Sequence, residues 1–201
     1  YDAVHERCIV FVDRRWWIVS DWLRAPSEHE YLLNFQLAAP QALQWRSDGH
    51  GTLLESSGLS IAQPHRIGQH TRIDEGYISQ RYGHKQAAIA LRTQMRSREA
   101  DFDTVLLPWR DAAPRLQVST LPAVNALGER REALRIEAGD TIDGWFHVRG
   151  GDAHAAWQIG DRVFTGRWLH WREDAHGKLL RAVSHACASL RTCSSSATPC
   201  G

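Results

Sequence analysis

Lysine is almost absent from this 201-residue chain: of 24 basic residues, all but Lys85 and Lys178 are arginine. Neither sign of charge is in excess, since 23 acidic residues leave a formal net charge of +1. A general electrostatic grip on DNA or anionic lipid needs a concentrated basic face, so nucleic acid is not an expected partner. Long apolar runs are missing, and nothing approaches the roughly twenty residues of a membrane span. Tyr1 is not an initiator methionine, and no signal-type apolar segment follows it. An N-terminal part is therefore expected to be missing. Cysteine is scarce, at four. Cys8 lies in an apolar run, where a buried free thiol is the default. Cys187, Cys193 and Cys200 match no zinc spacing and sit in a Ser/Thr/Ala-rich stretch, so residues 185–201 are expected to form a disordered low-complexity tail. Serine elbows, phosphate loops and dinucleotide fingerprints do not occur. No segment sustains apolar residues at i, i+3, i+4 and i+7 across a helix length.

What is present is alternation. Residues 7–13 (RCIVFVD) and 16–22 (WWIVSDW) are β-branched and aromatic runs separated by Asp13-Arg14-Arg15, the pattern of a hairpin. Pro26 and Ser27 interrupt before another strand at 29–37 (HEYLLNFQL). Residues 52–55 and 59–63 flank Ser56-Ser57-Gly58, a second hairpin. From 64 to 85 the alternation lapses into a long loop, and it resumes at 87–95 and 102–107. Further strands are expected at 116–119, 134–137, 141–148, 155–159, 162–171 and 179–184, with a tight hairpin turn at Gly160-Asp161. Many short strands without crossover helices predict an all-β fold, an antiparallel multi-stranded β-sandwich with little helix over residues 1–184. With 43% hydrophobic residues and nine tryptophans, such a sandwich has enough apolar mass for a core.

Eleven histidines raise the possibility of a metal site. His65 and His70 share a loop, and His147 and His154 flank a Gly-Gly turn, but no third ligand follows at a recognisable spacing. No metal ligand is assigned, and a metal-dependent hydrolase is a remote alternative. The stripe Trp168, His170 and Arg172 shares one strand face, with Leu169 and Trp171 on the other. The stretch 73–85 (IDEGYISQRYGHK) interleaves aromatic and basic residues. Tyr77, Arg81, Tyr82 and His84 are the candidate substrate-binding residues, beside Lys85, on a rim suited to an acidic sugar. The competing reading is a loop whose tyrosines tuck onto the sheet while its charges stay wet.

The order of these motifs resembles the C-terminal β region of the heparinase II/III-like polysaccharide lyases. Residues 5–37 are similar to that family's opening strands, with Arg7, Trp17, Asp21, His29, Tyr31 and Pro40 on its pattern. Glu75-Gly76-Tyr77-Ile78-Ser79 and Arg81-Tyr82-Gly83 resemble its next segment, and residues 102–108 (FDTVLLP) the one after. Beyond Pro108 only compatible strand patterns remain.

The resemblance implies a supersandwich-like fold preceded by an α-helical toroid, with anionic polysaccharide in the cleft between them. It implies β-elimination at uronic acid units. The family's catalytic tyrosine and histidine, and its structural zinc site, are expected upstream of Tyr1. No cofactor is therefore expected in this chain, and the chain alone is expected to be inactive. A polymer substrate implies a periplasmic or extracellular location. The alternative is a non-catalytic carbohydrate-binding or interaction module.

Overall fold

The structure, a computed structural model, describes residues 2–38, 43–149 and 154–184, together with the backbone of 189–192. Among these residues there is no helix, and every paired strand is antiparallel, an all-β architecture consistent with a β-sandwich. The chain divides into two compact units, Tyr1–Ser119 and Thr120–Gly201.

The first unit holds β1 (Val4–Val12), β2 (Trp16–Leu37), β3 (Leu43–Asp48), β4 (Gly51–Ser56), β5 (Leu59–Pro64), β6 (Gln69–Ile78) and β7 (Gln86–Pro108). They form one sheet in the order β1-β2-β7-β5-β4-β3, with β6 also paired to β7. β2 and β7 are 22 and 23 residues long and pair along nearly their full length. The register breaks once. Arg24 faces Glu99 and His29 faces Ser97, so residues 25–28 stand opposite Arg98 alone. Such a bulge bends a strand, and it accepts Pro26 because no ladder donor is needed there.

At the bend the sheet folds back on itself. Tyr31 and Leu33, beyond the bend, pack with Ala100 and Phe102 from before it in the β2–β7 ladder. Farther out, Leu54, Ile61 and Leu91 form a second buried cluster, against which Leu37 and Leu59 both pack. Gln63 ties the two layers by accepting from Thr93 Oγ1 at 2.6 Å and donating to Thr104 Oγ1 at 3.0 Å. The β6–β7 connection and the β4–β5 turn therefore emerge at the same end of the folded sheet, away from the bend. On the opposite face of β7, buried Asp103 accepts from Ser20 Oγ and pairs with Arg66 at 2.7 Å.

The second unit continues β8 (Leu116–Asn125) into β9 (Arg130–Ala138), β10 (Thr141–His147), β11 (Ala156–Ile159), β12 (Arg162–Thr165), β13 (Trp168–Glu173), β14 (Leu179–Ser184) and β15 (Ser189–Thr192), in the order β14-β13-β10-β9-β8-β11-β12-β15. β10 and β12 lie four positions apart in that order, yet Phe146 meets Phe164 edge-on at 6.2 Å and Trp157 at 5.4 Å. The sheet therefore curls around an aromatic core completed by Leu169 and Trp171. Gly144 is required there, because a Cβ would stand 2.0 Å from the Trp171 ring.

Several expectations need correction. The expected strands 16–22 and 29–37 are one strand through Pro26, and 87–95 and 102–107 are likewise one, because the bulge absorbs the interruption. The expected loop 64–85 contains β6, a strand whose alternation hides behind charged residues on both faces. β3 was not anticipated, and the expected strand 162–171 is two strands, parted around Gly166 with φ +144°. Ser189–Thr192, inside the expected tail, pairs with β12. Pro40, Cys187, Cys193 and Cys200 lie outside the described residues.

Asp103→Ala removes the carboxylate paired with the Arg66 guanidinium, whose side chain is 9% exposed and which keeps the Asp101 carbonyl at 3.2 Å. The expected loss is about 3–5 kcal/mol, read as a lower urea midpoint. Glu30→Ala, exposed on β2, should move stability by no more than about 0.5 kcal/mol. Equal effects would contradict a structural role for the buried Asp103–Arg66 pair.

Candidate functional site

The β6–β7 hairpin closes through residues 79–85, with Tyr77 opposite Ala87 and Ile78 opposite Gln86. Ser79 Oγ donates to the Arg81 carbonyl at 2.8 Å, and the His84 N–H donates to the same carbonyl at 3.0 Å. Gly83 takes φ +78°, the left-handed conformation that such a tight reversal needs. The backbone is thus set locally, which leaves the side chains at the tip without a packing role.

Their exposure follows. Tyr82 is fully exposed and Tyr77 is 56% exposed, and Arg81, His84 and Lys85 are exposed as well. Tyr82 does not tuck onto the sheet. Tyr77 continues the inward-facing row of Ile73 but projects beyond the apolar cluster, and Lys85 Nζ sits 3.5 Å from its ring centroid. That cation–π contact holds one charge beside one aromatic face. All four sequence-predicted residues therefore fall on one hairpin end, Tyr77 on its strand and Arg81, Tyr82 and His84 on its turn. A guanidinium, an ammonium, an imidazole and two phenols there can hydrogen-bond a carboxylate and stack on a sugar ring.

Two other constellations were not assembled from the sequence, although Arg7, Asp21, His170 and Arg172 stood out singly. On β1 and β2, buried Asp21 accepts from His5 Nε2 at 2.6 Å, and from Arg7 Nε at 2.6 Å and Nη2 at 3.1 Å. On β10 and β13, buried Asp143 accepts from His170 Nε2 at 2.9 Å, and from Arg172 Nε at 2.9 Å and Nη2 at 3.1 Å. In each pair the arginine stands directly opposite the aspartate, and the histidine lies two residues before the arginine. The signal was His-x-Arg on one strand facing Asp on the next, visible only once the register is known. The Arg7 guanidinium is held above the ordinary arginine value, chiefly by its hydrogen bond to Asp21, with burial opposing. His5 and Arg7 are each nearly half exposed, whereas the second cluster is mostly buried.

Among the described residues no three of His, Cys, Asp or Glu are placed to hold a metal ion. His70 lies on β6 and His65 in the turn before it, while residues 150–153 between His147 and His154 are outside the description. No step is routed through zinc.

Removing the Tyr82 ring should leave stability within about 0.5 kcal/mol, as for other surface positions. Gly83→Ala has open space around it but the wrong φ, so it should cost about 1–2 kcal/mol. Thermal unfolding of both variants checks this contrast.

No curated protein matches the chain. The model of the family described as "Heparinase II/III-like, C-terminal" matches residues 1–119, the same residues that form the first compact unit. Arg7 and Asp21 of the β1–β2 cluster and the Tyr77–Tyr82 segment all lie within that match, and the chain belongs to the heparinase II/III-like C-terminal family.

Proposed function

We propose that this chain is the C-terminal β region of a polysaccharide lyase that cleaves uronic-acid-containing anionic polysaccharide by β-elimination, and that the β6–β7 hairpin end forms one rim of the cleft. The observation that carries the reading is the set of exposed aromatic and basic side chains at residues 77–85, on a unit that matches a polysaccharide-lyase family.

Elimination at a uronate unit has three requirements. The carboxylate is neutralised, which acidifies the C5 proton. A base takes that proton while the C4–O bond breaks, its electron pair leaving on the oxygen as the C4–C5 double bond forms. An acid then returns a proton to the departing oxygen. This chain's contribution falls on binding and neutralisation. Arg81 offers a planar fork to a carboxylate, His84 and Lys85 add donors, and Tyr82 offers an unobstructed ring face. The proton-transfer groups are assigned to a helical toroid domain acting with this unit, and the site of action to the periplasm or exterior. Among the described residues no helix is long and apolar enough to cross a membrane.

Alginate and heparin-like polymers test the proposal, with the ultraviolet absorbance of unsaturated uronate as readout. The chain starting at Tyr1 should release none, and the product of the coding sequence including the region upstream should release it. Release by this chain alone would overturn the division of labour. An isolated chain that holds oligouronates tightly would instead identify a binding module. In the active protein, Arg81→Ala removes a charge-assisted hydrogen bond worth about 1.5–3 kcal/mol. It should raise KM at least about tenfold, with a smaller change in kcat. An unchanged KM would exclude Arg81 from the rim.

A further inference from the structure

The turn Ser56-Ser57-Gly58 and the segment that follows β7 meet at the end of the folded sheet where the β6–β7 hairpin also emerges, and between them is a concavity. Its volume is about 770 Å3, within the range of small-molecule sites, about 300–1,000 Å3. Trp109, Arg110 and Asp111 line one side, and Gln44, Glu55 and Ser57 line the other.

Trp109 is fixed on two counts. Its backbone N–H donates to the Gly58 carbonyl at 2.9 Å, and its indole Nε1–H donates to Ser60 Oγ at 3.1 Å. Ser60 is fully buried, so the indole is anchored at its polar edge. Gly58 permits the approach: its φ is +82°, and a Cβ there would stand 3.2 Å from the Trp109 carbonyl oxygen. A ring held this way loses little conformational freedom when a ligand stacks on it.

The polar groups around it are unspent. The side chains of Gln44, Glu55, Arg110 and Asp111 have no hydrogen-bond or ion-pair partner among the described residues. Gln44 and Glu55 are cross-strand partners on one face of the β3–β4 ladder, so an amide and a carboxylate stand side by side. A fixed indole beside an amide, a guanidinium and carboxylates is the chemistry that receives a pyranose, with its apolar ring face on the indole and its hydroxyls on the planar polar groups. Charge selects among sugars. Glu55 and Asp111 outnumber Arg110 in the cavity, which disfavours a second carboxylate. The hairpin end, with Arg81, His84 and Lys85, carries the opposite bias.

We propose that this cavity is a saccharide subsite for a neutral pyranose unit, stacked on Trp109 and hydrogen-bonded by Glu55 and Gln44, separate in charge preference from the uronate-binding hairpin end. The proposal goes beyond the lyase reading and can fail without it, because its ligand carries no carboxylate.

Calorimetric titration of this chain with neutral tetrasaccharides of glucose, galactose or mannose tests it. At least one should bind. Trp109→Ala and Glu55→Gln should each weaken that sugar at least tenfold, and Arg81→Ala should leave it unchanged. Glu55→Gln removes only a charge from a half-buried surface position, so it keeps the test valid if Trp109→Ala fails to fold. Absence of binding by all three sugars overturns the proposal. Binding that both variants leave intact, or that Arg81→Ala abolishes, overturns it as well.

Discussion

The full-length pairing of β2 with β7 is the constraint on which the first unit depends. Two strands of more than twenty residues, locked in one register on each side of a single bulge, cannot bend independently. Where residues 25–28 crowd opposite Arg98, both strands turn together, and one sheet becomes two facing layers. The contacts of Tyr31 and Leu33 with Ala100 and Phe102, and the bridge from Gln63 to Thr93 and Thr104, are consequences of that turn. The same turn returns the start and finish of β7 to one end of the sheet. That is how a hairpin end rich in cations and a turn beside Trp109, far apart in sequence, come to share an edge.

Four of the 22 arginines are spent on buried carboxylates. Asp21, Asp103, Asp143 and Glu173 are each buried, and each is met by an arginine: Arg7, Arg66, Arg172 and Arg162. The forks of Arg7 and Arg172 each bring two nitrogens to one carboxylate, geometry that a lysine ammonium cannot reproduce. Leaving such a carboxylate alone in a β core would cost several kcal/mol. Arg81 and Arg110, exposed at loop positions, are not spent on a buried carboxylate.

How much was legible before the structure depended on whether a feature was local. Period-two alternation marks most strands, and Asp13-Arg14-Arg15, Ser56-Ser57-Gly58 and Gly160-Asp161 mark hairpins that do form, with Gly58 and Gly160 in left-handed conformations. Pro26 misled because a bulge tolerates a residue that a regular ladder rejects. β6 was missed because Arg72, Asp74 and Glu75 are accommodated at its partly exposed surface, so the apolar alternation is faint. β3 is exposed along its whole length and has no core face to advertise. Tyr77, Arg81, Tyr82 and His84 were legible as a cluster because they are near one another in sequence. The Asp21 and Asp143 clusters and the Trp109 cavity were not, since each assembles residues from separate segments.

The unit is thus a folded sheet with two chemically different neighbourhoods at one end, the cationic hairpin and the acidic concavity. We propose that the hairpin end is where a uronate polymer touches this chain. Titrating the isotopically labelled chain with a short uronate oligomer, while following backbone amide resonances, tests that claim most directly. Shifts should centre on residues 77–85, with the interior of the second unit silent. Shifts absent from 77–85, or centred on β10 and β13, would contradict it.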